Sequence, residues 1–142
     1  IDEGEPKYLN SPETKTFSKS KELYGLFEAR KLNSPLKSLF VVEGYMDVIA
    51  LHQNGVTNAV ASLGTAITGL HISKMMRYCK NIYVAFDGDL AGRKAAWRAV
   101  ENGLPILRED INISFIFLEE GHVGLWEMFL QVLEIIQNSV WL

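Results

Sequence analysis

Apolar, strand-like runs that alternate with amphipathic segments predict an α/β chain with a parallel-rich central sheet and helices on both faces. Two observations carry the prediction. Short runs rich in Val, Ile and Phe recur at 38–43, 57–63, 81–86 and 111–118. The intervals between them hold apolar residues three and four apart, the spacing of a helix face, with breakers such as "NSP" at 33–35 and Gly55 between elements.

In chain order, the first 19 residues are polar, contain Pro6 and Pro12, and read as loop or extended chain. From Ser20, a candidate N-cap, Leu23, Leu26, Phe27 and Arg30 share one helical face. "SLFVVE" (38–43) then reads as a buried strand. "GYMDVIALHQNG" reads as a helix, with Val48, Leu51 and His52 at helical spacing and Gly55 as its stop. "TNAVASL" reads as a strand, "GTAIT" as a loop and "GLHISKMMRYC" as a helix closed by Cys79. "NIYVAF" is the third strand, "LAGRKAAWRAVENG" a helix and "INISFIFL" the fourth strand. Phe86 and Trp97 are core candidates, and no catalytic role is assigned to His52, His71 or His122.

The bulk composition narrows the functional classes. At 142 residues, with 48% hydrophobic and 22% charged, the chain suits one domain with an appendage. It opens on Ile, which predicts a piece of something longer. No stretch reads as a signal peptide or reaches the ~18 apolar residues of a membrane span. Cys79 is the only cysteine, which excludes an internal disulfide and a cysteine-built zinc site; the expectation is a cytoplasmic protein with no membrane partner. The net charge of −3 divides as +1 over 1–37, 0 over 38–118 and −4 over 119–142, so charge alone does not announce a nucleic-acid binder.

The informative residues are acids at strand ends. Glu43 closes the first predicted strand, Asp87 closes the third, and Asp89 starts the next helix. Ligands of open α/β sheets bind outside the carboxyl ends of the strands. Carboxylates gathered there suit a hard divalent cation completed by water and phosphates, and a pair of such ions supports phosphoryl transfer. "DGD" is also an ordinary turn, with Asp89 as a helix N-cap, and Asp47 suits the first turn of a helix without any metal.

"VVEGYMDVIALHQNGVTNAVASLGTAIT" and "FDGDLAGRKAAWRA" resemble the first and second acidic motifs of bacterial DnaG-type primases, and "PKYLNSPETKTFSKSKELYGLFEAR" resembles the stretch that leads into that family's catalytic core. The resemblance runs from about residue 5 to His122. It implies a toprim-type fold and DNA-directed synthesis of short RNA primers, with single-stranded DNA and ribonucleoside triphosphates as partners and Mg²⁺ or Mn²⁺ as cofactor. Glu43 would be an acid/base or metal-associated carboxylate. Asp87 and Asp89 would hold metal with Asp47 nearby, and "SLGT" (62–65) would flank the crevice. Lys7, Tyr8, Asn10 and Lys19 would line the nucleotide and template groove. The implied division is 1–37 as the end of the N-terminal subdomain, 38–118 as the toprim catalytic domain and 119–142 as a divergent tail.

The chain departs from the family in three places. Ser18 and Ser20 flank Lys19 where the family often has His and Gly. After "FIFLEEGH" the family continues Asp-Pro-Asp, whereas this chain continues "VGLWEMFLQVLEIIQNSVWL", in which nine of the twelve residues from Leu125 to Ile136 are apolar. The family's upstream zinc module and its downstream helicase-docking region have no counterpart in these residues. A catalytically impaired primase fragment therefore stands beside the active core as an alternative, as does another toprim enzyme, a nuclease or a topoisomerase.

Overall fold

Strand and helix alternate from Leu23 to Leu118 in the computed structural model, which describes Pro12, residues 14–118, Leu130 and Glu134. The order is β1 (Leu23–Tyr24), α1 (Leu26–Leu32), β2 (Ser38–Val42), α2 (Tyr45–Gln53), β3 (Ala59–Ser62), α3 (Gly69–Met76), β4 (Asn81–Asp87), α4 (Leu90–Gly103), a 3₁₀ turn at Leu104–Ile106 and β5 (Asn112–Leu118). Among the described residues the sheet has the order β1-β3-β2-β4-β5. Every pair is parallel except β1 on β3, where Leu23 lies opposite Ser62.

β2 lies at the centre because its side chains are apolar on both faces. Leu39 and Val41 point into a core shared with Leu26 and Ala29 of α1, Ile72 and Met75 of α3, and Ala96 and Ala99 of α4. Phe40 and Val42 point the other way, onto Val48 and Leu51 of α2. Burying each such side chain contributes ~1.5–3 kcal/mol relative to leaving it in water. The predicted α/β sheet with helices on both faces is what forms: α2 covers one face, and α1, α3 and α4 cover the other.

Two local expectations are corrected. The helix predicted from Ser20 starts only at Leu26. Leu23 and Tyr24 instead pair with the edge of β3, and Gly25, at φ 82°, turns the chain into α1. A Cβ on Gly25 would stand 2.9 Å from Val48 Cγ1 and 3.0 Å from the Ala59 carbonyl. Edge pairing and this close turn override the helical spacing; Phe27 and Arg30 end up exposed. Trp97 is also outside the core, at 64% exposure, with its Nε1–H donating to Glu101 at 2.9 Å. α4 instead buries Gly92, Ala96, Ala99 and Gly103, a small-residue face that lets the helix lie close on the sheet and turns the indole outward. Phe86 is buried as predicted; Cys79 is buried too, although α3 ends at Met76, before the cysteine expected to close it. Burial pushes the Cys79 thiol up to about 11, so it stays protonated at neutral pH.

His71 is fully buried and completes the N-terminus of α3. Its Nδ1 accepts the Thr68 N–H at 3.1 Å, which leaves the proton on Nε2 to donate to the Lys19 carbonyl at 2.8 Å. The ring is therefore neutral. Burial chiefly lowers its pKa below 6.5 and Lys74 adds to the effect, while the Lys19 and Glu22 backbone carbonyls and the Glu22 charge oppose it. The unfolded chain binds this proton first as pH falls, so the stability owed to neutral His71 is complete above ~6.5 and is lost as pH drops toward the lower folded value. The expected outcome is a stability gap between wild type and His71→Leu that narrows as pH falls below about 6.5; urea unfolding at stepped pH measures it.

Candidate active-site cleft

β2 and β4 are neighbours, yet their carboxyl ends lead into helices on opposite faces: β2 into α2 and β4 into α4. The two connections diverge and leave a crevice above the strand ends, the usual ligand position in such sheets. Glu43 follows β2 directly and Asp87 ends β4, and the Asp87 N–H donates to Glu43 Oε1 at 3.4 Å. Glu43, Asp87 and Asp89 line a cleft of about 360 Å³. Its opposite wall is the "SLGT" turn, with Ser62, Gly64 and Thr65 in the lining. The Ser62 hydroxyl donates to the Thr65 carbonyl at 2.7 Å, and Asn102 of α4 donates to the Ile67 carbonyl at 2.9 Å, so strand and helix brace this wall together.

Asp89 performs the helix-capping role open to it: its Oδ1 accepts the Gly92 N–H at 2.7 Å. Gly92 is a poor helix former in the first turns of α4, and the reason for its presence is steric. A Cβ there would overlap the Asp87 carbonyl and lie 2.8 Å from the Asp87 carbonyl carbon. Only a bare Cα lets α4 begin directly against the end of β4, which keeps Asp87 and Asp89 on one rim. Asp47 stands beside this group on α2 rather than in the cleft lining, and its Oδ2 accepts the Gly44 N–H at 3.3 Å.

The acids form a cluster of uncompensated negative charge. Desolvation of the Glu43 carboxylate, partial because the residue is exposed at its outer edge, raises its pKa above 4.5; Asp87, Asp89 and Asp47 raise it further, and the Asp87 backbone N–H opposes. Asp47 is raised by burial first, with the Gly44 N–H opposing and the charge of Asp87 adding. Among the described residues no Lys or Arg is ion-paired to these four acids. Arg93 is near, but its Nε–H goes to the Gly88 carbonyl at 3.3 Å and its guanidinium sits 5.2 Å over the Phe117 ring. No group of three or more His, Cys, Asp or Glu among the described residues is arranged to hold a metal ion by itself. The donor chemistry suits Mg²⁺ bound in the open manner, through one or two carboxylates with water and phosphate oxygens completing the shell.

Of the sequence-predicted site residues, Glu43, Asp87 and Asp89 meet in the cleft and Asp47 lies alongside. The carbonyl of Lys19 is within 3.5 Å of the hydroxyl of Thr65 on the cleft wall. Lys7, Tyr8, Asn10 and the apolar tail, apart from the exposed helical residues Leu130 and Glu134, lie outside the described residues. Sequence reasoning passed over Gly92, His71, Thr68 and Asn102. The signal for Gly92 was a glycine placed just inside a helix start, and that for Thr68 a threonine at the N-cap position, three residues before His71; the bonds of Thr68, His71 and Asn102 to residues far along the chain left no local mark.

A mostly parallel sheet with acids at two adjacent strand ends is the toprim arrangement, and residues 37–117 match the family described as "Toprim domain". Residues 1–30 match "DNA primase catalytic core, N-terminal domain". A DNA primase of Pseudomonas aeruginosa is 56% identical over 121 residues, covering 85% of the chain. The chain spans only 18% of that relative's length. The crystal structure of a DNA primase domain from Pseudomonas aeruginosa superposes with a TM-score of 0.83 at 52% identity, covering 93% of this chain and 40% of that one. A DnaG primase catalytic domain bound to single-stranded DNA gives 0.79 at 51% identity, covering 82% of this chain and 38% of the other. The chain belongs to the bacterial DnaG-type DNA primases, within the toprim-containing catalytic core.

Two outcomes follow from this geometry. Gly92→Ala forces α4 off the end of β4 and destabilises the fold by ~2–3 kcal/mol, measured by denaturant unfolding. Glu43→Gln has the opposite sign. A carboxylate whose pKa is raised by folding costs stability above its ordinary value, so the variant unfolds ~1–3 °C higher at pH 7, a modest gain because solvent screens the site. The gain fades as pH falls through the raised value toward 4.5; thermal unfolding across that range checks it.

Proposed function

We propose that this chain carries the nucleotide-joining centre of a primase: metal-dependent phosphodiester formation between ribonucleotides on a single-stranded DNA template, in the cytoplasm. The observation that carries the reading is the pairing of Glu43 with the Asp87 backbone at the point where β2 and β4 diverge, with Asp89 on the same rim. On this reading Asp87 and Asp89 hold Mg²⁺ or Mn²⁺, and Asp47 adds negative charge to the cluster. The metal, when bound, activates the attacking hydroxyl and stabilises the leaving oxygen. Glu43, its pKa raised chiefly by desolvation and by the neighbouring Asp87 charge, is placed to take or return a proton at the reacting hydroxyl. Lys19, with Lys7, Tyr8 and Asn10, grips phosphates of the incoming nucleotide and template, contacts that position without reading sequence.

The sequence "GHVGLW", where the family has Asp-Pro-Asp after the same Gly-His, favours a second reading in which metal binds but the chemistry is weak. Loss of one electrostatic contributor costs about 10²–10³ in rate.

The test is a Mn²⁺ titration followed by electron paramagnetic resonance, beside an Asp87→Asn, Asp89→Asn double variant. Wild type is expected to bind saturably and the variant to lose that binding; equal weak binding by both overturns the metal site. Primer synthesis on a single-stranded template then separates the readings. Metal-dependent RNA product supports the active core. Saturable Mn²⁺ binding without product supports the impaired fragment, and nicked DNA without primer points to a nuclease.

A further inference from the structure

Residues 18–20 and the start of α3 are held together by side chains that the proposed chemistry does not use. His71 Nε2–H donates to the Lys19 carbonyl at 2.8 Å. The Thr68 hydroxyl donates to the Ser20 carbonyl at 2.6 Å, and the Thr65 hydroxyl reaches the Lys19 carbonyl at 3.5 Å. Two consecutive carbonyls, Lys19 and Ser20, are thus bound by three side chains from residues 65–71, a separation of about fifty positions in the chain. His71 is fully buried, so its hydrogen bonds do not compete with water. Its Nδ1 is committed to the Thr68 N–H, which fixes both the tautomer and the ring plane. A lysine in an otherwise polar segment is given a defined backbone position, against a turn whose Ser62, Gly64 and Thr65 form the wall of the acidic cleft.

We propose that His71 is a positioning residue for phosphate binding: with Thr68 it clamps the Lys19 backbone to the cleft wall, so that the lysine meets an anionic nucleotide already ordered. A long cationic side chain on a mobile loop loses backbone and rotamer freedom when it binds, whereas a clamped one loses less. A purely structural role for His71 would affect folding alone. The clamp predicts a loss of nucleotide affinity that passes through Lys19 and leaves the carboxylates untouched. The proposal rests on the reading of Lys19 as a phosphate contact, and the experiment separates the two.

The probe is a non-hydrolysable ribonucleoside triphosphate analogue, titrated in saturating Mn²⁺ into wild type, Lys19→Ala, His71→Leu, His71→Gln and the Lys19→Ala, His71→Leu double variant. Mn²⁺ affinity without nucleotide and tryptic cleavage after Lys19 are followed in parallel. His71→Leu is expected to weaken the analogue about 3–10-fold, the worth of one hydrogen bond, with Mn²⁺ affinity unchanged and faster cleavage at Lys19. His71→Gln keeps a donor toward the Lys19 carbonyl and recovers most of the affinity. The double variant is expected to be no weaker than Lys19→Ala. Faster cleavage with unchanged nucleotide affinity overturns the clamp as a binding device, and so does additivity in the double variant. An inert Lys19→Ala sinks the reading of Lys19 itself, and the clamp with it, while Mn²⁺ binding still reports on the acids. Should circular dichroism show His71→Leu unfolded, Thr68→Val, which removes both the bond to the Ser20 carbonyl and the α3 cap on the His71 N–H, carries the same comparison, with unchanged Mn²⁺ affinity as the check that the cleft is intact.

Discussion

Where α4 meets the end of β4, two backbones come closer than any side chain allows. Gly92 lies against the Asp87 carbonyl with no room for a Cβ, and its N–H is taken by Asp89. The three residues define one another's positions. Asp87 must end the strand there because the helix begins at once, and Asp89 must cap the helix because its N–H groups face that rim. The rest of the cleft follows from this junction, since α4 also supplies Asn102 to hold the opposite wall.

The second constraint is topological. A parallel sheet whose adjacent strands send their helices to opposite faces leaves an opening at the carboxyl edge. Four acids gather around that opening without a described cation paired to them, and Glu43 and Asp47 are held above their ordinary pKa values. A fold selected for stability alone would not keep mutually repelling carboxylates together. They carry a cost in the ion-free chain that binding of a divalent cation would relieve. The open arrangement, with no three ligands preset among the described residues, suits a metal site that substrate phosphates complete.

The region before β2 belongs physically to the same sheet. Leu23 and Tyr24 extend it beyond β3, Leu26 and Ala29 enter its core, and His71 and Thr68 fasten residues 19 and 20 to the loop beside the cleft. Residues 19 and 20 and the acidic strand ends are therefore mechanically continuous.

The sequence by itself determined the alternation of strands and helices, because periods of two and near four in apolar residues reflect burial locally. It also determined the candidate acids, since Glu43, Asp87 and Asp89 stand out where apolar runs end, and the long motifs pointed to the primase family. It did not determine which strands are neighbours, that α4 buries glycine and alanine while Trp97 faces water, or that Leu23 and Tyr24 leave a helical pattern for a sheet edge. Nor did it tie His71 to Lys19. Those outcomes depend on contacts between residues far apart in the chain: the free edge of β3, the overlap a Cβ would make at Gly92, and a buried imidazole that must find two partners. Local periodicity carries no record of such contacts, and only the assembled tertiary structure decided them.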